Sequence, residues 1–156
     1  MSMIDTLKSS ALFGGLDKDH LERISVLCRG WSYREGKMVF NEGDEAAELY
    51  LLTDGRVALE MLRQVLPNRP AIPSAVVVVT KGECFGLPAL VEPYVYTLSA
   101  RCMTPCTVLA IKGDMLRRVM DADAGLGYEV MKRLTRLILS RLQEEKIKEV
   151  DETDGG

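Results

Sequence analysis

Gly82-Glu83-Cys84-Phe85-Gly86-Leu87-Pro88-Ala89-Leu90, followed by Thr97-Leu98-Ser99-Ala100, is the stretch on which the fold turns. Lys81-Gly82 marks a turn in which glycine can take positive φ, and residues 97–102 predict a strand. Outward from this stretch, residues 31–112 keep one texture, short apolar runs punctuated by glycine. Met38-Val39-Phe40, Leu49-Tyr50-Leu51-Leu52, Val57-Ala58-Leu59, Val76-Val77-Val78-Val79 and residues 107–111 predict further strands. Breaks fall at Gly36, Gly43-Asp44 and Asp54-Gly55. Pro67, Pro70 and Pro73 lie so close together that residues 67–73 predict a stiff, non-strand hairpin loop. Many short strands at close spacing predict an antiparallel β jelly-roll barrel over about 31–112, not a parallel sheet with crossover helices.

Helices flank this barrel. Asp17 is a good N-cap, and Leu21, Ile24 and Leu27 follow on one face until Gly30 closes the segment. Met115, Leu116, Val119 and Met120 predict a short amphipathic helix after Gly113. A longer helix is expected over about 124–148, with Val130, Met131, Leu134, Leu137, Ile138 and Leu142 spaced by threes and fours and Lys132, Arg133 and Arg136 outside. The fold class is therefore mainly β with flanking α (α+β): one domain over 1–148, with C-terminal helices at about 113–148. Residues 149–156 read as an acidic disordered tail. The six apolar positions of the long helix are too many for one narrow seam. One stripe is expected to cover the barrel and a second to meet the same helix of another subunit, or a partner protein. A monomer that covers both stripes itself is the alternative.

Composition narrows the function. With 156 residues, 47% hydrophobic and 28% charged, the chain suits one globular domain. A net charge of −3 and a pI near 5.3 lack the basic excess of a nucleic-acid-binding surface, so no nucleic acid is expected. No apolar run approaches the ~18 residues of a membrane span, and no charged leader precedes an apolar stretch at the start. A cytoplasmic protein without membrane contact is expected. Cys28, Cys84, Cys102 and Cys106 are too scattered for a disulfide framework, and Cys102 and Cys106, on either side of Pro105, read as buried inert thiols. His20 is the single histidine and is expected to face solvent, so a three-histidine metal site within one subunit is excluded. No Gly-x-Ser-x-Gly elbow, P-loop or dinucleotide fingerprint occurs, and an enzyme is not expected.

Five separate runs agree with one family. They are Leu12-Phe13-Gly14-Gly15-Leu16; Glu35 through Asp44; Leu49 through Val57; Gly82-Glu83-Cys84-Phe85-Gly86; and Cys106-Thr107-Val108-Leu109-Ala110-Ile111. In this order they resemble the cyclic-nucleotide-binding domain, and in arrangement the cyclic AMP receptor protein family, over about residues 11–143. The resemblance implies a ligand cassette in the stretch quoted first and a long helix that pairs two subunits. In those transcription factors a helix-turn-helix module follows the long helix. Only eight residues follow Lys148 here, so no DNA-binding module is expected.

The same resemblance implies a divergent cassette. In the family, backbone N–H groups at the start of a short helix face the cyclic phosphate. An arginine pairs with the same phosphate, and a glutamate directly after Phe-Gly accepts from the ribose 2′-hydroxyl. Here the glutamate position holds Leu87, and Pro88 contributes no N–H. No arginine or lysine lies between Gly86 and Ser99; Tyr94, Val95 or Tyr96 stands where the arginine would fall, and Arg101 is the nearest basic side chain. Losing two hydrogen bonds to charged or strongly polar groups removes roughly 3–6 kcal/mol, or about two to four decades of affinity. Cyclic AMP or cyclic GMP is thus weakly supported as ligand, and no cofactor is assigned. The candidate ligand-binding residues are Phe85, Gly86, Leu87, Pro88, Ala89, Leu90, Tyr94, Val95, Tyr96 and Thr97. They predict an apolar, aromatic pocket with phenol groups at its edge, suited to a less charged small molecule or closed by its own side chains. The expected function is a regulatory or sensor module signalling through its C-terminal helix. The alternative is a ligand-free interaction or dimerisation protein.

Overall fold

The computed structural model describes residues 2–154, with side chains through Gln143. The chain runs α1 (Met3–Lys8), α2 (Lys18–Ser25), β1 (Cys28–Tyr33), β2 (Met38–Phe40), β3 (Glu48–Asp54), β4 (Val57–Arg63), β5 (Ile72–Val79) and β6 (Cys84–Phe85). A 3-10 helix (Leu87–Leu90), β7 (Ser99–Cys102), β8 (Cys106–Lys112), α3 (Gly113–Ala122) and α4 (Ala124–Asp154) complete it. The strands form two four-stranded antiparallel sheets, in the orders β1-β8-β3-β6 and β2-β7-β4-β5. This is the α+β roll expected from the strand spacing.

Three boundaries differ from the sequence expectation. Gly30 does not end a helix; it sits within β1, opposite Leu109 of β8. Pairing along the whole of β8 outweighs the weak strand preference of a single glycine. Residues 67–73 were expected to be loop throughout, yet β5 begins at Ile72 and contains Pro73. It can do so because β5 is the edge of its sheet, where a missing N–H interrupts no second ladder. α4 extends through Asp154 instead of ending near Lys148, so the expected tail is helical to that point. Gly155 and Gly156 lie outside the described residues.

The helices are capped where the sequence signals it. The Asp17 carboxylate accepts from the His20 N–H at 2.9 Å and starts α2. Asp123 does the same for α4, accepting from the Leu126 N–H at 3.2 Å. That capping bond, with His20 at 3.1 Å and Arg23 at 3.0 Å, holds the Asp123 carboxyl below its ordinary pKa. His20 is therefore half-buried against the α3–α4 junction rather than facing solvent.

Between the sheets lies a continuous core that includes Leu49, Leu51, Val57, Val79, Phe85 and Ile111. Leu126, Val130 and Leu134 of α4 join it and are fully or almost fully buried. Arg133, expected to point outward, instead donates through Nε to the Gly14 carbonyl at 2.8 Å. Gly15 beside it has a φ of +88°, and a Cβ there would stand 2.9 Å from an Arg133 nitrogen. The glycine pair thus admits the guanidinium that ties α4 to the N-terminal segment.

Candidate functional site

The cassette is built on one left-handed residue. Gly86 has a φ of +74° and caps the 3-10 helix, and a Cβ there would meet the Glu48 carbonyl at 3.0 Å. Pro88 occupies the first turn of that helix, where no intrahelical N–H bond is lost. Phe85 immediately before it is fully buried, its ring 5.0 Å from Tyr50 and 6.1 Å from Phe40. Phe40 also stacks on Tyr96 at 3.7 Å. These four rings form the floor on which the cassette rests.

Next to the cassette lies a cavity of about 480 Å³, within the size range of small-molecule sites. Of the expected ligand residues, Gly86, Leu87, Pro88, Val95, Tyr96 and Thr97 line it. Phe85, Ala89, Leu90 and Tyr94 do not. Phe85, Ala89 and Leu90 are buried in the core, and Tyr94 lies beneath Arg117, whose guanidinium carbon is 3.9 Å from the ring centroid. The expectation of phenol groups at the pocket edge is also corrected by bonding. The Tyr96 hydroxyl donates to the Glu48 carbonyl at 2.6 Å and accepts from the Glu48 N–H at 3.2 Å. It ties the start of β3 to the cassette.

Other walls were not foreseen. Leu59 and Met61 on β4 and Val77 on β5 contribute one side. Their signal was the period of two along β4, which sends Leu59 and Met61 to one face and Glu60 to the other. Glu60 pairs there with Arg101, Oε1 to Nε at 3.1 Å and Oε2 to Nη2 at 3.2 Å. Arg101, the nearest basic residue in sequence, is therefore engaged outside the cavity lining.

The remaining wall comes from α4. Ile138, Arg141 and Leu142 all line the cavity, although Ile138 and Leu142 were expected at a dimer seam. Val130 and Leu134, assigned to the same seam, are buried in the chain's own core. Arg141 donates to the Cys84 carbonyl of β6. Its position was legible in principle: 126, 130, 134, 137 and 141 recur by threes and fours, which puts an arginine on the buried stripe.

A second arginine joins the cassette to α3. Arg117 donates to the Ala89 carbonyl while stacking on Tyr94. Gly113 at the start of α3 packs so closely that a Cβ would lie 2.6 Å from the same carbonyl. The cassette, α3 and α4 are thus in direct mechanical contact. The thiols nearby play no acid–base part at neutral pH: burial pushes Cys84 up to about 12 and Cys28 to about 11, and burial with the adjacent Cys106 pushes Cys102 to about 12. Among the described residues no cluster of metal-ligating side chains occurs, and no helix is long and apolar enough to cross a membrane.

Two antiparallel sheets closed around a glycine-led cassette and covered by a C-terminal helix define a ligand-domain roll of the kind found in regulatory proteins. The chain belongs to the cyclic nucleotide-binding domain family, whose family model matches residues 31–123. Solved structures agree. A protein of Geobacter metallireducens GS-15 described as a cyclic nucleotide-binding protein is 29% identical with a TM-score of 0.76, over 91% of this chain and 99% of that one. The catabolite activator protein of Thermus thermophilus is 25% identical with a TM-score of 0.70, over 93% of this chain and 63% of that one. The regulatory domain of Toxoplasma gondii PKA, solved with cAMP, is 21% identical with a TM-score of 0.66, over 79% of this chain and 45% of that one. No curated protein matches the chain. The α4 residues of the cavity wall lie beyond the span that the family model matches.

Proposed function

We propose that the chain is a non-enzymatic regulatory or sensor module that binds a small ligand in the cavity beside its cassette and reports occupancy through α4. The observation that carries this reading is the shared wall: Leu87 and Pro88 of the cassette and Ile138 and Leu142 of α4 line the same space. A ligand filling that space contacts both elements, so any difference in affinity between two α4 positions shifts the population between them. Arg117 and Gly113 supply a second route, from the cassette through α3 to the Asp123 junction.

The neutral apolar dye N-phenyl-1-naphthylamine tests the cavity. One saturable site per chain is expected, lost when Thr97→Trp fills the mouth, with amide hydrogen exchange slowed on α4 in the dye complex. Binding that is absent, or indifferent to Thr97→Trp, would favour the ligand-free interaction protein.

Pairing through α4 belongs to the same proposal. Tyr128, Met131, Thr135 and Leu139 recur by threes and fours and are exposed, on a face distinct from the stripe that Val130 and Leu134 bury. Sedimentation at tens of micromolar is expected to give a particle of twice 17.3 kDa, and Leu139→Glu with Met131→Glu to halve it. A particle of single-chain mass in the unmodified protein would sink the pairing.

A further inference from the structure

A second cavity of about 480 Å³ opens on the β1-β8-β3 part of the first sheet and shares no residue with the one beside the cassette. We propose that it is a separate binding site for a short neutral saccharide. Gly30 and Ser32 of β1, Thr107 and Leu109 of β8 and Thr53 of β3 line it, together with the half-exposed Trp31. Strand register puts the first four on one face, with Gly30 opposite Leu109 and Ser32 opposite Thr107. Thr53 joins them through its hydroxyl, 2.8 Å from that of Thr107. Three neighbouring strands about 4.8 Å apart span roughly 10 Å, the reach of two linked pyranose rings.

Gly30 is the residue that points to a ligand. It does not take a positive φ, and a Cβ built on it would meet nothing within 4 Å. Neither backbone conformation nor packing calls for glycine there, and almost any side chain would favour the strand more. What the glycine leaves is open space beside Leu109. A glycine inside a strand marks the close approach of a ligand or of another backbone, and the hydroxyls around it favour the ligand. Thr53 Oγ1 donates to the Thr107 carbonyl at 3.0 Å, so the 2.8 Å contact between the two hydroxyls takes its proton from Thr107. The Thr107 oxygen keeps lone pairs for a ligand hydroxyl, and Ser32 offers both a donor and acceptors. No described residue of the lining carries a charge, so an ion finds no counter-charge there. A hydrocarbon would strip water from three hydroxyls without replacing it. A sugar ring matches both demands. Its hydroxyls meet Ser32 and Thr107, and its C–H faces meet Leu109, the threonine methyls and the aromatic surface of Trp31.

Trp31 is the chain's single tryptophan, so its fluorescence reports on this cavity and not on the cassette. Cellobiose, maltose and N,N′-diacetylchitobiose are the probes, titrated into the full chain. At least one is expected to give a saturable change in emission at millimolar concentration or below. Gly30→Val is expected to weaken that binding roughly ten-fold or more, read by amide chemical-shift titration. The same variant should keep the urea midpoint equal or raise it, because the new side chain enters open space within a strand. Thr107→Val removes one hydroxyl at nearly constant shape and is expected to weaken binding about five- to ten-fold. The absence of a saturable change with all three sugars, or an unchanged affinity in Gly30→Val, would overturn the proposal. So would Trp31 emission that varies with protein concentration in the absence of sugar, the mark of a second copy seated at this sheet edge.

Discussion

Phe85→Ala is expected to lower the unfolding free energy by about 3–5 kcal/mol. The ring is fully buried, 5.0 Å from Tyr50 and 6.1 Å from Phe40, at the point where β6 meets the cassette. Alanine there removes the apolar surface of a phenyl group and leaves a void, because the β3 backbone on one side and the 3-10 helix on the other are held by their own ladders and cannot close inward. The loss also takes away one of the two rings that stack on Tyr50, leaving Phe40. Urea unfolding should show the drop with an unchanged slope, and thermal unfolding a fall of roughly 6–20 °C. A loss below about 1 kcal/mol would mean that the four-ring floor is not a packed unit. Since Phe85 does not line the cavity, any effect on ligand binding should follow stability rather than direct contact.

Leu87→Glu combined with Val95→Arg is expected to tighten cyclic AMP binding by about two decades or more, measured by calorimetric titration. Both side chains line the cavity, Leu87 from the first residue of the 3-10 helix and Val95 from the loop before β7. The pair would restore a ribose acceptor directly after Phe85-Gly86 and a cation across the cassette, the two groups that the resemblance to cyclic-nucleotide-binding domains identifies as missing. Each charge is desolvated on entering an apolar lining, so part of the gain is offset in the unliganded protein. Val95→Arg alone should contribute the phosphate share and Leu87→Glu alone the ribose share. No gain in the double variant would show that the cassette register inferred from the sequence is displaced.

The cassette itself was largely legible from sequence. Gly82 and Gly86 do lie at positive φ, at +91° and +74°, and the apolar runs between glycines do form the antiparallel ladders. Leu87, Pro88, Val95 and Thr97, which the family resemblance put in the cassette, line the cavity. The fate of each aromatic was not legible. Tyr94 and Tyr96 are two residues apart in one loop, yet one lies under an α3 arginine and the other bonds to the backbone of β3. Phenol direction depends on which acceptor the rest of the fold brings within reach, and both partners are distant in sequence. The α4 helix shows the same division. Its length and apolar periodicity are local properties, but the assignment of Val130 and Leu134 to the core and of Ile138 and Leu142 to the cavity follows from where the helix axis lies on the roll.

From Gly82 to Ala100, then, the sequence alone determined three things: the roll, the place of the ligand cassette, and the absence of its usual glutamate and arginine. The roll follows from short-range physics, from glycine's access to positive φ and from strand period, whereas the place of the cassette and the two groups it lacks are what the resemblance to cyclic-nucleotide-binding domains implies. Only the tertiary structure decided that Arg101 is held by Glu60 away from the cavity. It also decided that Arg141, 55 positions after Gly86, enters it. A charge has no fixed neighbour until the chain closes. Packing α4 across the cassette selects which arginine meets the cavity, and no local pattern around Gly86 encodes that choice.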